Sequence, residues 1–192
     1  MTEFRVLPGL PSFGPPAQPF PRAFQQLGSE GLVVEVRPAA AGAWVGNFRH
    51  GLSNFSGVYH HPDGHHLLFV AGGQGYVVDP TTHALESEIG AAIIGISELS
   101  NPPSLLLDHQ GIVFERIGAR GRIWRTRRLS WDGFRDVRIE AEAITGLGWH
   151  APTDTWQPFE VDLRTGRTCK GVYVGPDLTE GEEVVASDDS AA

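Results

Sequence analysis

Three stretches of this 192-residue chain can be laid over one another, and this recurrence constrains the fold more than any other feature. Leu67-Leu68-Phe69-Val70 and Gln74-Gly75-Tyr76-Val77 run in step with Pro103-Ser104-Leu105-Leu106 and Gln110-Gly111-Ile112-Val113, 36 residues later. Tyr76-Val77-Val78-Asp79-Pro80-Thr81-Thr82 runs in step with Phe159-Glu160-Val161-Asp162-Leu163-Arg164-Thr165, 83 residues later. The second interval is about twice a forty-residue period, the size of one four-stranded β-meander such as a propeller blade. Elsewhere apolar positions alternate, or come in runs too short for a helix. Strands are expected over 32–37, 43–48, 56–60, 66–71, 76–79, 84–89, 92–97, 105–107, 112–117, 122–130, 137–140, 144–149, 157–163 and 167–174. Turn signals separate them: Pro62-Asp63-Gly64, Pro80-Thr81-Thr82, Asp132-Gly133 and Arg164-Thr165-Gly166. About fourteen short strands with tight turns mean an all-β chain of antiparallel meander repeats. Such a chain must protect its sheet edges, and radial repetition does so, giving a small propeller-like fold of three to four blades. A two-sheet β-sandwich or an irregular barrel is the alternative.

Both ends differ from this middle. Residues 1–31 hold Pro8, Pro11, Pro15, Pro16, Pro19 and Pro21 among Gly9, Gly14 and four phenylalanines. Proline at that density argues against a ladder and for an extended arm, with Phe4, Phe13, Phe20 and Phe24 as surface anchors. A proline-rich ligand for a partner's aromatic groove is the functional alternative. Residues 32–176 form a single β domain. Residues 177–192, acidic and poor in apolar side chains, are expected to be a disordered tail that aids solubility. No apolar run approaches the ~20 residues of a membrane helix. No secretory signal opens the chain, and one cysteine, Cys169, excludes an internal disulfide and suits a cytoplasmic protein.

The formal net charge of -8 repels nucleic acid and anionic membranes unless positive charge is concentrated locally. It is concentrated: Arg116, Arg120, Arg122, Arg125, Arg127, Arg128, Arg135 and Arg138 fall within 23 residues. Trp124, Trp131 and Phe134 are interleaved with them. Strand alternation puts Arg122, Trp124 and Thr126 on one face and Ile123, Arg125 and Arg127 on the other. The plain reading is pairing with Glu115, Asp132, Asp136, Glu140 and Glu142; the functional one is a surface for an acidic protein or a small anionic ligand. Trp149 and Trp156 flank a short hairpin, where an aromatic pair either closes the hairpin or grips a ligand.

His60-His61-Pro62-Asp63-Gly64-His65-His66 is the most chemical segment. Imidazoles on both arms of a hairpin can converge on Zn²⁺ or Ni²⁺. Adjacent strand residues face opposite sides, so one histidine from each arm, His61 and His66, is the expected pair. A third ligand would have to come from elsewhere, with His83 and His109 as candidates and Asp63 close by. Gly72-Gly73-Gln74-Gly75 and Asp108-His109-Gln110-Gly111 are hairpin turns rather than phosphate loops, because a strand and not a helix follows. Asp79 and Asp162 are turn residues that accept amide hydrogen bonds. No Gly-x-Ser-x-Gly elbow is present, and Cys169 is expected to be buried and inert.

The run from Arg122-Ile123-Trp124-Arg125-Thr126-Arg127-Arg128 through Ser130-Trp131-Asp132-Gly133-Phe134-Arg135-Asp136, followed by Trp156-Gln157-Pro158-Phe159-Glu160-Val161-Asp162-Leu163-Arg164-Thr165-Gly166, resembles a bacterial protein family without an assigned activity. Pro8-Gly9-Leu10-Pro11 and Ala71-Gly72-Gly73-Gln74-Gly75-Tyr76 belong to the same resemblance, which spans most of 4–174. It implies bacterial origin and no particular chemistry. Trp131-Asp132 also resembles the dipeptide of WD-type propeller repeats, without the usual Gly-His upstream.

These features favour a non-catalytic cytoplasmic binding or scaffold protein over an enzyme. Its expected contact residues are Arg122, Trp124, Arg125, Arg127, Trp131, Trp149 and Trp156. No cofactor is required in that reading. The alternative is a metal-assisted hydrolase with Zn²⁺ at His61 and His66.

Overall fold

The computed structural model describes residues 2–23 and 30–171. Phe24 as an anchor, the last strand beyond 171 and the acidic tail lie outside the described residues. The chain divides into two compact units, one ending at Ile94 and the other beginning at Gly95. Among the described residues the regular elements are sixteen β-strands, and helix is limited to 3-10 turns at residues 22–23 and at Ala151–Thr153. Among the described residues no helix is long and apolar enough to cross a membrane.

The first unit begins with β1 (Glu3–Val6), β2 (Gln18–Phe20), β3 (Leu32–Arg37) and β4 (Trp44–Phe48), ordered β1-β3-β4-β2 in one sheet. β5 (Gly57–His60), β6 (Leu67–Ala71), β7 (Gln74–Val78) and β8 (Leu85–Ile89) follow as an antiparallel meander. In the second unit, β9 (Ile93–Ser100), which starts at the boundary, joins β10 (Pro103–His109), β11 (Val113–Gly118) and β12 (Gly121–Arg125). Its other meander is β13 (Phe134–Ile139), β14 (Ala143–His150), β15 (Thr155–Asp162) and β16 (Thr168–Lys170). The architecture is therefore all-β, in four four-stranded sheets of blade type. Three are antiparallel meanders in chain order; the first carries one parallel edge, β2 against β4.

The N-terminal segment corrects the expectation of an arm free of ladders. β1 pairs antiparallel with β3, and β2 pairs parallel with β4. The prolines explain how. Glu3–Val6 contains none, and Pro19 lies on an edge strand, where its missing N–H need not break a ladder. The phenylalanine anchors divide. Phe20 is buried and stacks on Phe48 with ring centroids 4.7 Å apart, whereas Phe13 is 91% exposed.

Each unit has its own core between its two sheets. In the first, Val34, Val36, Trp44 and Phe48 meet Leu67, Phe69, Tyr76 and Val78. The Phe48 and Phe69 rings stack at 4.2 Å. Every residue of β6 is buried, so both faces of this strand are covered, which accounts for its unbroken apolar run. In the second, Leu106, Phe114, Trp124 and Leu129 meet Ile144, Phe159, Val161 and Leu163.

The same turn closes one meander in each unit. Asp79 accepts from the Thr81 and Thr82 amides at 2.7 and 3.2 Å, and Asp162 accepts from Thr165 N at 2.7 Å. Asp79 N donates to Ala84 O and Asp162 N to Arg167 O, each at 2.9 Å. Over each turn lies a tryptophan of the other sheet in its unit. Trp44 Nε1 donates to Pro80 O at 2.8 Å, and Trp124 Nε1 donates to Leu163 O at 3.0 Å. The 83-residue sequence interval therefore marks a structural equivalence. The 36-residue interval is looser. It aligns the starts of β6 and β10, but β10 is two residues longer, so Gly75 lies within β7 while Gly111 sits in the next hairpin turn.

Candidate functional site

In the first unit, the β5–β6 hairpin gathers three donor atoms. His61 leaves β5 with its ring turned inward, 7% exposed, while His60 stays outside and tilts against Phe4 at 5.7 Å. The turn is closed by His61 N to His66 O and Gly64 N to His61 O, each 3.0 Å, with Gly64 at φ +75. Glycine takes that conformation without steric cost. Asp63 then folds back as an Asx-turn: its Oδ1 accepts from His65 N at 2.8 Å and His66 N at 3.0 Å. Its Oδ2 faces His61 Nδ1 at 2.9 Å and His66 Nδ1 at 2.7 Å. Burial works against ionisation of Asp63, but the two amides and the two imidazoles outweigh it and hold the carboxyl well below its usual range. Burial pushes the His61 imidazole below its ordinary value, against the pull of Asp63. His65 reaches the neighbouring β7–β8 turn, with Nε2 3.2 Å from Asp79 Oδ2.

His61 and His66 therefore converge, and the third donor is Asp63. The other two candidates are elsewhere. His83 lies over Trp44 with ring centroids 4.4 Å apart, and its Nδ1 is 3.0 Å from Gln18 Oε1. His109 belongs to the second unit, buried 3.2 Å from Glu115. Both positions follow from topology, which the local sequence does not carry.

The arginine-rich segment of the second unit separates into distinct roles. Arg116 is 4% exposed and is a structural cation. Its Nε donates to Ser104 Oγ and its Nη1 to Leu163 O, each at 2.9 Å. Trp124 is a correction: at 3% exposed it belongs to the core and cannot meet a partner. The expected alternation also breaks. β11 and β12 shift register between Arg116 and Ile117, pairing Arg116 with Trp124 but Ile117 with Arg122. The extra residue is Ile123, which packs against the core while Arg122 stays exposed. Arg125 and Arg127 are exposed. Of the acidic residues expected to neutralise the cluster, Glu115 does so, 3.8 Å from Arg125. Burial raises Glu115, but His109, Arg125 and Arg122 prevail and keep it low.

Trp149 and Trp156 pair across β14 and β15 in register, centroids 5.3 Å apart. They close the hairpin, and both remain half-buried. Arg135 lies over Trp156 at 4.0 Å, and Arg128 over Trp131 at 5.0 Å. Arg128 is fixed there by donating to Ser130 O and Trp131 O, each at 3.0 Å. These two arginine–indole stacks were absent from the expected contact set. Arg128 and Trp131 are three apart, but nothing in the sequence marks Arg135 as the neighbour of Trp156. Cys169 is also a correction: it is exposed, because β16 is a short edge strand whose residues are all exposed.

No family model matches the chain, and no curated protein matches it in sequence. Among solved structures, the β-propeller domain of Cps50 (Swd1) from Myceliophteria thermophila is similar, at 11% identity and a TM-score of 0.44. The similarity covers 77% of this chain and 54% of that one, so the chain spans about half the length of the structure it matches.

Proposed function

We propose that this chain is a non-catalytic binding protein that holds an acidic segment of a partner protein against the Arg/Trp surface of its second unit. The carrying observation is Arg135, exposed and seated 4.0 Å over the Trp156 ring. Among the described residues it has no ion-pair partner. A guanidinium stacked on an indole keeps its N–H donors in the ring plane, free for carboxylates, and is pre-ordered by the stack. Arg122, Arg125, Arg127 and Arg138 extend the exposed positive charge over two strands and a loop. That spread suits an elongated acidic segment better than a single small anion. The protein works in the cytoplasm in this reading, where the exposed thiol of Cys169 stays reduced.

A fluorescein-labelled peptide of alternating Glu and Tyr tests the proposal by anisotropy. The wild type binds, with affinity falling as salt rises. R135A and the R125A/R127A pair each weaken binding about tenfold, the equivalent of ~1.4 kcal/mol. Equal affinity in wild type and variants would place any acidic partner elsewhere.

A further inference from the structure

We propose that the β5–β6 hairpin is a divalent transition-metal site, with His61 Nδ1, Asp63 Oδ2 and His66 Nδ1 as its protein ligands. This lies in the first unit and is independent of the Arg/Trp surface. The three donor atoms lie within 4.8 Å of one another, and both imidazole nitrogens address the same carboxylate oxygen, at 2.9 and 2.7 Å. Two imidazoles and one carboxylate are a donor set for borderline ions such as Zn²⁺. Three protein ligands leave a coordination position open, and Asp63 lies at the exposed end of the hairpin, so water or an anionic ligand can complete the shell.

The support around these ligands distinguishes the cluster from a chance gathering of polar groups. Asp63 Oδ1 is already held by two backbone amides, at 2.8 and 3.0 Å, which fixes the carboxylate so that Oδ2 faces the two imidazoles. The His61 ring is packed into the unit, and the His66 ring meets it edge-on at 6.1 Å. Ligands held by such outer contacts bind metal with less reorganisation. Metal–ligand bonds of ~2.0–2.2 Å require neighbouring donors roughly 3.3 Å apart, so each Nδ1 must withdraw by about 0.5 Å from the carboxylate. Side-chain rotation on the hairpin suffices. With Nδ1 as the ligand atom, each imidazole would carry its proton on Nε2.

A second triad, His65, His66 and Asp79, overlaps the first through His66. We assign the ion to the first. His65 is exposed and its contact to Asp79 is longer, 3.2 Å. The His65–Asp79 pair ties the hairpin to the adjacent turn from outside.

The test uses untagged full-length protein and Zn²⁺ alone, by isothermal titration and by melting with and without metal, and Co²⁺ for its visible bands. The expected result is one Zn²⁺ per chain, a rise in melting temperature on adding metal, and four-coordinate Co²⁺ absorption. H61A and D63N should each weaken binding at least tenfold and abolish the thermal shift, while H65A retains both. D63N keeps an acceptor for the two turn amides, so it guards against a result that reflects only a broken turn. Failure of the wild type to take up stoichiometric Zn²⁺ would overturn the site. So would H61A binding like wild type, or loss of binding confined to H65A and D79N.

Discussion

Asp108 shows how burial of one side chain becomes a property of the whole fold. It lies near the end of β10, where its Oδ1 accepts from Gly111 N at 2.8 Å. Burial raises its pKa from an ordinary 3.8 to about 6, against the opposing effects of that amide and of His109. The sign follows from proton binding. Between pH 4 and 6 the folded state retains a proton that the unfolded state has released, so the group increasingly favours unfolding as pH rises through this window. Above about pH 6 the penalty is complete. D108N removes it while keeping an acceptor for Gly111. The variant should be more stable than wild type by about 2–3 kcal/mol at pH 7.5 and equal to it near pH 4. Urea unfolding of both proteins at the two pH values measures this, and the difference between them cancels groups that titrate in both. A constant offset would mean that Asp108 acts through packing rather than charge. Nothing in the sequence reveals this site. Asp108 was legible as a turn residue, but its burial depends on the strands packed around it.

At the level of elements, the repeated aspartate turn is solved in two ways. His83 and Gly166 occupy the same place, 83 residues apart, each in the left-handed region at φ 62 and 71. Over the first, His83 stacks on Trp44; in the second, a Cβ on Gly166 would come within 2.6 Å of the Trp124 ring. The histidine thus offsets its backbone strain with a ring contact, and the glycine makes room for a closer indole. G166A should therefore destabilise the protein by about 2–4 kcal/mol, through strain and overlap together. H83G should cost less than about 1 kcal/mol, because relief at the backbone offsets the lost stacking. Chemical denaturation of the two variants checks the asymmetry, and equal losses would contradict it. The fourteen strands from residue 32 onward were legible because period-two alternation and turn residues agree along the chain. β1 and β2 were not, because their pairing partners lie beyond the prolines and proline density obscures short ladders. Trp124 was misplaced because alternation groups it with Thr126 and opposite Arg125 and Arg127, as observed, but does not say which of the two faces the core covers. The bulge at Ile123 changes only the preceding pair, leaving Arg122 exposed and Ile123 against the core.

For the whole molecule, charge is distributed along the chain more unevenly than a net of -8 conveys. Residues 95–171 carry eleven basic and ten acidic side chains, close to neutral. Residues 1–94 carry four basic and seven acidic, and residues 172–192 carry six acidic and no basic. Most of the net negative charge thus belongs to the last 21 positions. The arginine cluster was visible in sequence as a charge anomaly, but the environment of each member was not: packing buries Arg116 and Trp124 and seats Arg128 and Arg135 on indole rings. If the Arg/Trp surface binds acidic segments, the chain's own acidic end competes for it as a tethered ligand at high effective concentration. A chain ending at Gly171 should then bind the Glu/Tyr peptide more tightly than the full chain, by roughly three- to tenfold at low salt. The gain should shrink as salt screens the charges beyond the ~8 Å Debye length of physiological buffer. R135A introduced into the shortened chain should remove most of the gain, because the competition is then for a weakened site. Anisotropy titrations of the four proteins at low and physiological salt decide it. An affinity unchanged by shortening would mean that the acidic end and the arginine surface do not meet, leaving solubility as the role of the terminal charge.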